Sequence, residues 1–126
     1  MADMSTPEPA WEYSPPKGGE VIEYQVVLAP EHQLHVRQTI YRKMVVDFAI
    51  MQFFVQEWRA EVHRTDCCHG EVHAHQFFQG VDSEERSVIC VIDRVDAWKT
   101  VDRNFVECND RAVESFATYY DRWRAR

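Results

Sequence analysis

The ten residues "DCCHGEVHAH", 66–75, hold three histidines, two cysteines and two carboxylates. Imidazole is the side chain that changes charge nearest neutral pH and the commonest protein ligand for a transition metal. Two chemistries therefore fit the segment. In the first, His73 and His75, two apart on a strand, present both rings to one side. Asp66, His69 or a thiolate of Cys67 or Cys68 then completes a set for zinc or another transition metal. No Cys-x-x-Cys pair is present to close a purely structural zinc site. In the second, His69 and His73 act as base and acid, with Asp66 beside them and Arg64 stabilising charge on a phosphoryl or acyl oxygen. That is the inventory of a small ribonuclease, which needs no cofactor when the RNA 2′-hydroxyl is the nucleophile. Arg37, Arg42, Lys43 and Arg59 would add a short phosphate track. A Cys–His pair, Cys67 or Cys68 with His69 or His73, is a third and weaker arrangement, lacking an orienting group.

A plainer reading stands beside these. Exposed strand faces accept histidine readily, and Arg64 with Asp66 can be a surface pair of small energetic consequence. The chain would then be a protein-interaction module, with Trp11 and Tyr13 as its contact residues. His32, His35 and His63 read as solvated or edge residues. Cys90 and Cys108 read as small core residues.

The elements that must position the segment follow from hydrophobic period. Residues 1–19 carry Pro7, Pro9, Pro15, Pro16, Gly18 and Gly19, the composition of a flexible arm without regular structure. From residue 20 onward the pattern is that of one folded domain, 20–126. Ile22, Tyr24, Val26 and Leu28 alternate, and Pro30 ends that strand. Leu34, Val36 and Ile40 mark a second strand. "MVVDFAIMQFFV", 44–55, is apolar on both faces, as expected of a central strand. Asp47 within it needs a cationic neighbour, Arg37 or Arg42. Trp58, Ala60 and Val62 begin a fourth strand and "EVHAHQFF", 71–78, is a fifth, joined by the turn "TDCCHG" into an antiparallel hairpin. After a "GVDSEERS" loop, "VICVI", 88–92, is a last short strand. Phe105, Cys108, Ala112, Phe116, Tyr119 and Trp123 then step by three and four, placing one helix over 102–124. The expected fold is α+β, a mostly antiparallel sheet with one long C-terminal helix across one face.

Composition narrows the classes further. At 126 residues with 45% hydrophobic and 13% aromatic content, the chain can bury a core without staples. A formal charge of −7 argues against an extended nucleic-acid-wrapping surface, though not against a local basic patch. No run approaches the apolar length of a membrane span, and the first twenty residues lack the pattern of a secretory signal. With no disulfide framework among four scattered cysteines, a reduced, cytoplasmic protein is expected.

The stretch "HRTDCCHGEVHAHQFF" resembles a family of small prokaryotic domains with an Arg-x-Asp-x-x-His-Gly-x-x-His hairpin, carried here by Arg64, Asp66, His69, Gly70 and His73. In that family a C-terminal helix with a late Trp and Arg follows, as in "YYDRWRAR". More distantly it is similar to the TumE-type toxins of toxin–antitoxin pairs, which hold an Asp…His…His cluster after a strand. The resemblance implies a toxin-like, RNA-directed hydrolase or transferase with a cognate antitoxin as protein partner. The competing expectation is a non-enzymatic or regulatory metal-binding protein using His73, His75, His69 and Asp66.

Overall fold

The computed structural model describes residues 11–125. Six strands, β1 (Glu20–Ala29), β2 (His32–Tyr41), β3 (Met44–Val55), β4 (Arg59–Cys68), β5 (Glu71–Phe78) and β6 (Val81–Val91), precede one helix, α1 (Ala97–Arg124). The strands form a single antiparallel sheet in sequential order, each paired with the next. The helix lies mainly over β3, reaching β4 and β5 as well. This is the α+β arrangement expected from period two followed by period 3.6. No helix among the described residues is long and apolar enough to cross a membrane.

Strand parity sorts side chains to the two faces. Toward α1, β3 sends Phe48, Ile50 and Gln52, and β2 sends Leu34 and Val36. These apolar groups join Val72, Val101, Cys108 and Ala112 in the buried core. Three polar groups peg the helix to the sheet. Asp102 accepts the Val45 backbone N–H at 2.8 Å, Gln52 Nε2 donates to the Phe116 carbonyl at 2.9 Å, and Gln76 Nε2 donates to the Tyr119 carbonyl at 3.2 Å. Buried amides need such partners, so each fixes where along its axis the helix sits.

Four sequence expectations change. The "GVDSEERS" segment is strand, not loop. Gln79 and Gly80 make a tight turn and β6 starts at Val81, well before residue 88. Every residue from 81 to 88 is exposed on this edge strand, so it can be polar throughout, and polarity also discourages edge-to-edge aggregation. The turn "TDCCHG" shrinks to His69–Gly70, because β4 runs to Cys68 and pairs it with Glu71. The helix begins at Ala97, five residues before 102. Trp58 also lies just outside β4 and is 76% exposed.

Residues 11–16 have no regular structure, yet they are anchored. Tyr13 packs against the core and donates its hydroxyl to the Val46 carbonyl at 2.6 Å. Burial, with Cys67 and Asp47 adding to it, pushes that hydroxyl well above its ordinary pKa. The expectation for residues 1–10 of the arm lies outside the described residues. Tyr13 passes the hairpin turn at Gly70, where φ is +80° and an added Cβ would stand 3.4 Å from the Tyr13 backbone nitrogen. A left-handed alanine costs about 1–2 kcal/mol. Gly70→Ala is therefore expected to lower unfolding free energy by about that amount in a urea titration. Unchanged stability would show that the turn relaxes freely.

Candidate functional site

The two-residue turn sets the register of the β4–β5 hairpin, with His69 (φ 53°) and Gly70 (φ 80°) both left-handed, as a type I′ turn requires. Asp66 then lies directly opposite His73, and Arg64 opposite His75. All four belong to the face away from α1, since Thr65 and Gln76 beside them point toward the helix side. Among the described residues, ligand atoms of Asp66, His73 and His75 lie within 4.8 Å of one another.

His75 is the centre of this group. Its Nε2 stands 3.2 Å from Asp66 Oδ1 and its Nδ1 3.1 Å from Glu84 Oε1. Neutral imidazole carries one N–H, which satisfies one carboxylate and leaves a lone pair facing the other. The second nitrogen–carboxylate approach needs a second proton or a metal ion between them. The ring is held by Phe77, stacked on it at 6.3 Å and 6°.

His73 is wholly buried although no helix covers it. Its neighbours seal it: Nε2 is 2.8 Å from Glu71 Oε1. One Arg86 guanidinium nitrogen is 3.0 Å from Nε2 and 3.4 Å from Nδ1. A nitrogen that near to both ring nitrogens lies over the ring rather than in line with either lone pair. Three carboxylates, Asp66, Glu71 and Glu84, thus surround two imidazoles with Arg86 as the one guanidinium in the same contacts. That excess of negative charge suits a dication.

The remaining sequence candidates are placed elsewhere. His69 is exposed in the turn, its Nδ1 3.7 Å from Glu12 of the arm, and it is not part of the three-residue group. Arg64 is bound in a two-pronged pair to Glu61, at 3.0 and 2.7 Å, rather than to Asp66. Burial raises the Glu61 pKa, and the Arg64 hydrogen bond pulls it back down. Burial pushes the Cys67 thiol far above its ordinary pKa, with Asp47 adding to the effect, which disfavours a free thiolate nucleophile; Cys67 is not part of the three-residue group. Cys68 is exposed at the strand end. Asp47 has its carboxyl raised by burial and lowered by the Arg37 charge. Arg42, the other expected partner, lies over Tyr41 at 5.3 Å instead.

Glu84 and Arg86 went unrecognised in the sequence because their strand reads as a loop. The signal available was spacing: Glu84, Arg86 and Val88 alternate. His63 is the larger surprise. Expected at a solvated edge, it is 7% exposed on the helix side, stacked on Tyr119 at 3.7 Å and 4°. Burial, then positive charge on His75 and Arg122, push its pKa down to about 4. His32 is half-buried, against Phe54, Phe116 and Tyr120.

Comparisons of the chain with protein-family models, with curated proteins and with solved structures returned no match.

Proposed function

We propose that the protein binds a divalent transition-metal ion, with zinc as the reference case, through Asp66, His73 and His75. The observation that carries this is His75 wedged between two carboxylates with His73 alongside. Zinc bonds of about 2.0–2.2 Å put neighbouring ligand atoms roughly 3–4 Å apart. His75 Nε2 and Asp66 Oδ1, at 3.2 Å, already have that spacing, and a ring rotation of His73 completes the set. Glu84 accepts the Nδ1–H of His75, which fixes the tautomer whose Nε2 lone pair points at the ion, the usual carboxylate–histidine–metal relay. Three protein ligands leave a coordination position for water or a further ligand. The role proposed is regulatory or metal-carrying.

The acid–base reading, a toxin-like RNA hydrolase using His69, His73 and Arg64, has less support. His69 is exposed in the turn and Arg64 is paired with Glu61, whereas the three metal candidates converge.

Elemental analysis of untagged protein, incubated with zinc, nickel or copper and desalted, tests the proposal. One ion per chain is expected, lost in the His73→Ala/His75→Ala double variant. Glu84→Gln should weaken affinity about 10–100-fold, the usual consequence of removing an outer carboxylate. Bound metal should be released as pH falls below about 6, because each imidazole ligand is taken by a proton. Wild-type protein that retains no metal ends the proposal.

A further inference from the structure

On the opposite face of the sheet, between the C-terminal half of α1 and β4–β6, is a cavity of about 500 Å³. Sites for small organic ligands run from about 300 to 1,000 Å³. Ala74, Ile89 and Ala112 give it an apolar wall, and His63, Gln76, Tyr119, Arg111 and Arg122 its polar one.

One buried polar atom on this wall lacks a partner. Gln76 is 4% exposed, and its Nε2 is fully used on the carbonyls of Val62, Phe77 and Tyr119, at 3.1, 2.9 and 3.2 Å. Its Oε1 is buried with no hydrogen-bond partner. A buried acceptor left so is destabilising relative to a satisfied one. His63, 7% exposed, lies beside it with its ring face covered by Tyr119.

Positive charge flanks these groups. Arg111 and Arg122 are about three helical turns apart, so they share one face of α1. Both charges reach the Tyr119 hydroxyl. Arg122 is paired to Glu85 at the rim, and Arg111 has no carboxylate within ion-pair distance among the described residues. In a chain of net charge −7, two guanidiniums thus line one cavity beside an uncommitted buried acceptor.

We infer that this cavity binds a small organic oxyanion, its charged group held by Arg111 and Arg122 and a hydroxyl or N–H of its body donated to Gln76 Oε1 or His63. Phosphate monoesters and carboxylates share that chemistry. The inference does not rest on the metal reading; Arg86, which lines this cavity, also touches His73 across the sheet.

Calorimetric titration of chelator-treated, desalted protein with 4-hydroxyphenyl phosphate, 4-hydroxybenzoate and uncharged hydroquinone tests it. Chelation ensures that no anion is held by a metal at Asp66, His73 and His75. One saturable site per chain is expected for at least one charged probe and none for hydroquinone. Binding of one charged probe alone identifies the headgroup, and binding of both assigns a general oxyanion site. Arg111→Gln and Arg122→Gln should each weaken binding roughly 10–100-fold, the range for a hydrogen bond to a charged group. Glu85→Gln, which leaves both arginines in place and releases Arg122, should tighten it several-fold, and this variant stands in if the arginine variants do not fold. Ring resonances of Tyr119 and His63 should shift on saturation. No binding of either charged probe up to about 10 mM, well beyond any affinity of biological use, overturns the inference. So does binding that survives loss of both arginines or is unchanged in Glu85→Gln.

Discussion

Phe48→Ala is expected to destabilise the protein by about 3–5 kcal/mol, the range for deleting a large aromatic from a close-packed core. Phe48 is 1% exposed on the helix side of β3, and its ring meets Phe105 edge-on at 5.4 Å and 70°. Its removal opens a void at the contact between the central strand and α1. The sheet is pegged to the helix by Asp102, Gln52 and Gln76 on either side, so it cannot easily collapse into that void. Phe53, on the same strand but of opposite parity, is only half-buried, with Arg59 over its ring at 4.2 Å. Phe53→Ala should cost less than half as much. Urea unfolding of both variants reads the two values. Equal losses, or a loss below about 1 kcal/mol at Phe48, would mean that the helix does not cover the face assigned to it.

The second large effect is acid lability arising from His63. Unfolded, its imidazole titrates near 6.5; folded, its pKa is pushed down to about 4. Between these values the unfolded chain holds the extra proton, so stability is complete above about pH 6.5 and is lost as pH falls toward 4. At 1.36 kcal/mol per pH unit, the loss between pH 7 and pH 4 is about 3 kcal/mol from this one group. Asp47 and Glu61, whose carboxyls are raised by burial, act in the opposite sense: their native forms hold protons longer, which favours the fold on acidification. Both remain in His63→Gln, so the comparison isolates the imidazole. In chelator-treated samples, the fall in unfolding free energy from pH 7 to pH 4 should be smaller in His63→Gln by about 3 kcal/mol. Parallel pH profiles for variant and wild type would show that His63 is solvated and titrates normally.

Local pattern was enough for the scaffold and part of the site. Alternation over 22–28 and 71–78, the two-sided apolar run 44–55 and the three-four stripe from Phe105 to Trp123 are properties of adjacent residues, and each became the expected element. The same logic put His73 and His75 on one face, because strand side chains repeat every two residues, and placed a turn between the two strands, though a longer one than the His69–Gly70 pair that forms it. Asp66 joined them because a two-residue turn leaves one register for the hairpin.

The remaining features depend on contacts between segments distant in sequence. A polar edge strand has no hydrophobic period, so β6 could not be told from a loop, and Glu84 and Arg86 went unseen with it. Nothing near His63 distinguishes it from His75, a strand histidine next to its cross-strand partner Gln76 in the same hairpin. One faces a helix that begins at Ala97 and becomes buried against Tyr119, and the other faces carboxylates. His69 shares a motif with His73, but its turn directs it to Glu12 of the arm. Residue type and spacing determined which groups could do chemistry. Only tertiary packing decided which histidine lost its water and which met an acid: α1 covers His63, while Glu71 and Arg86 seal His73 on the other face.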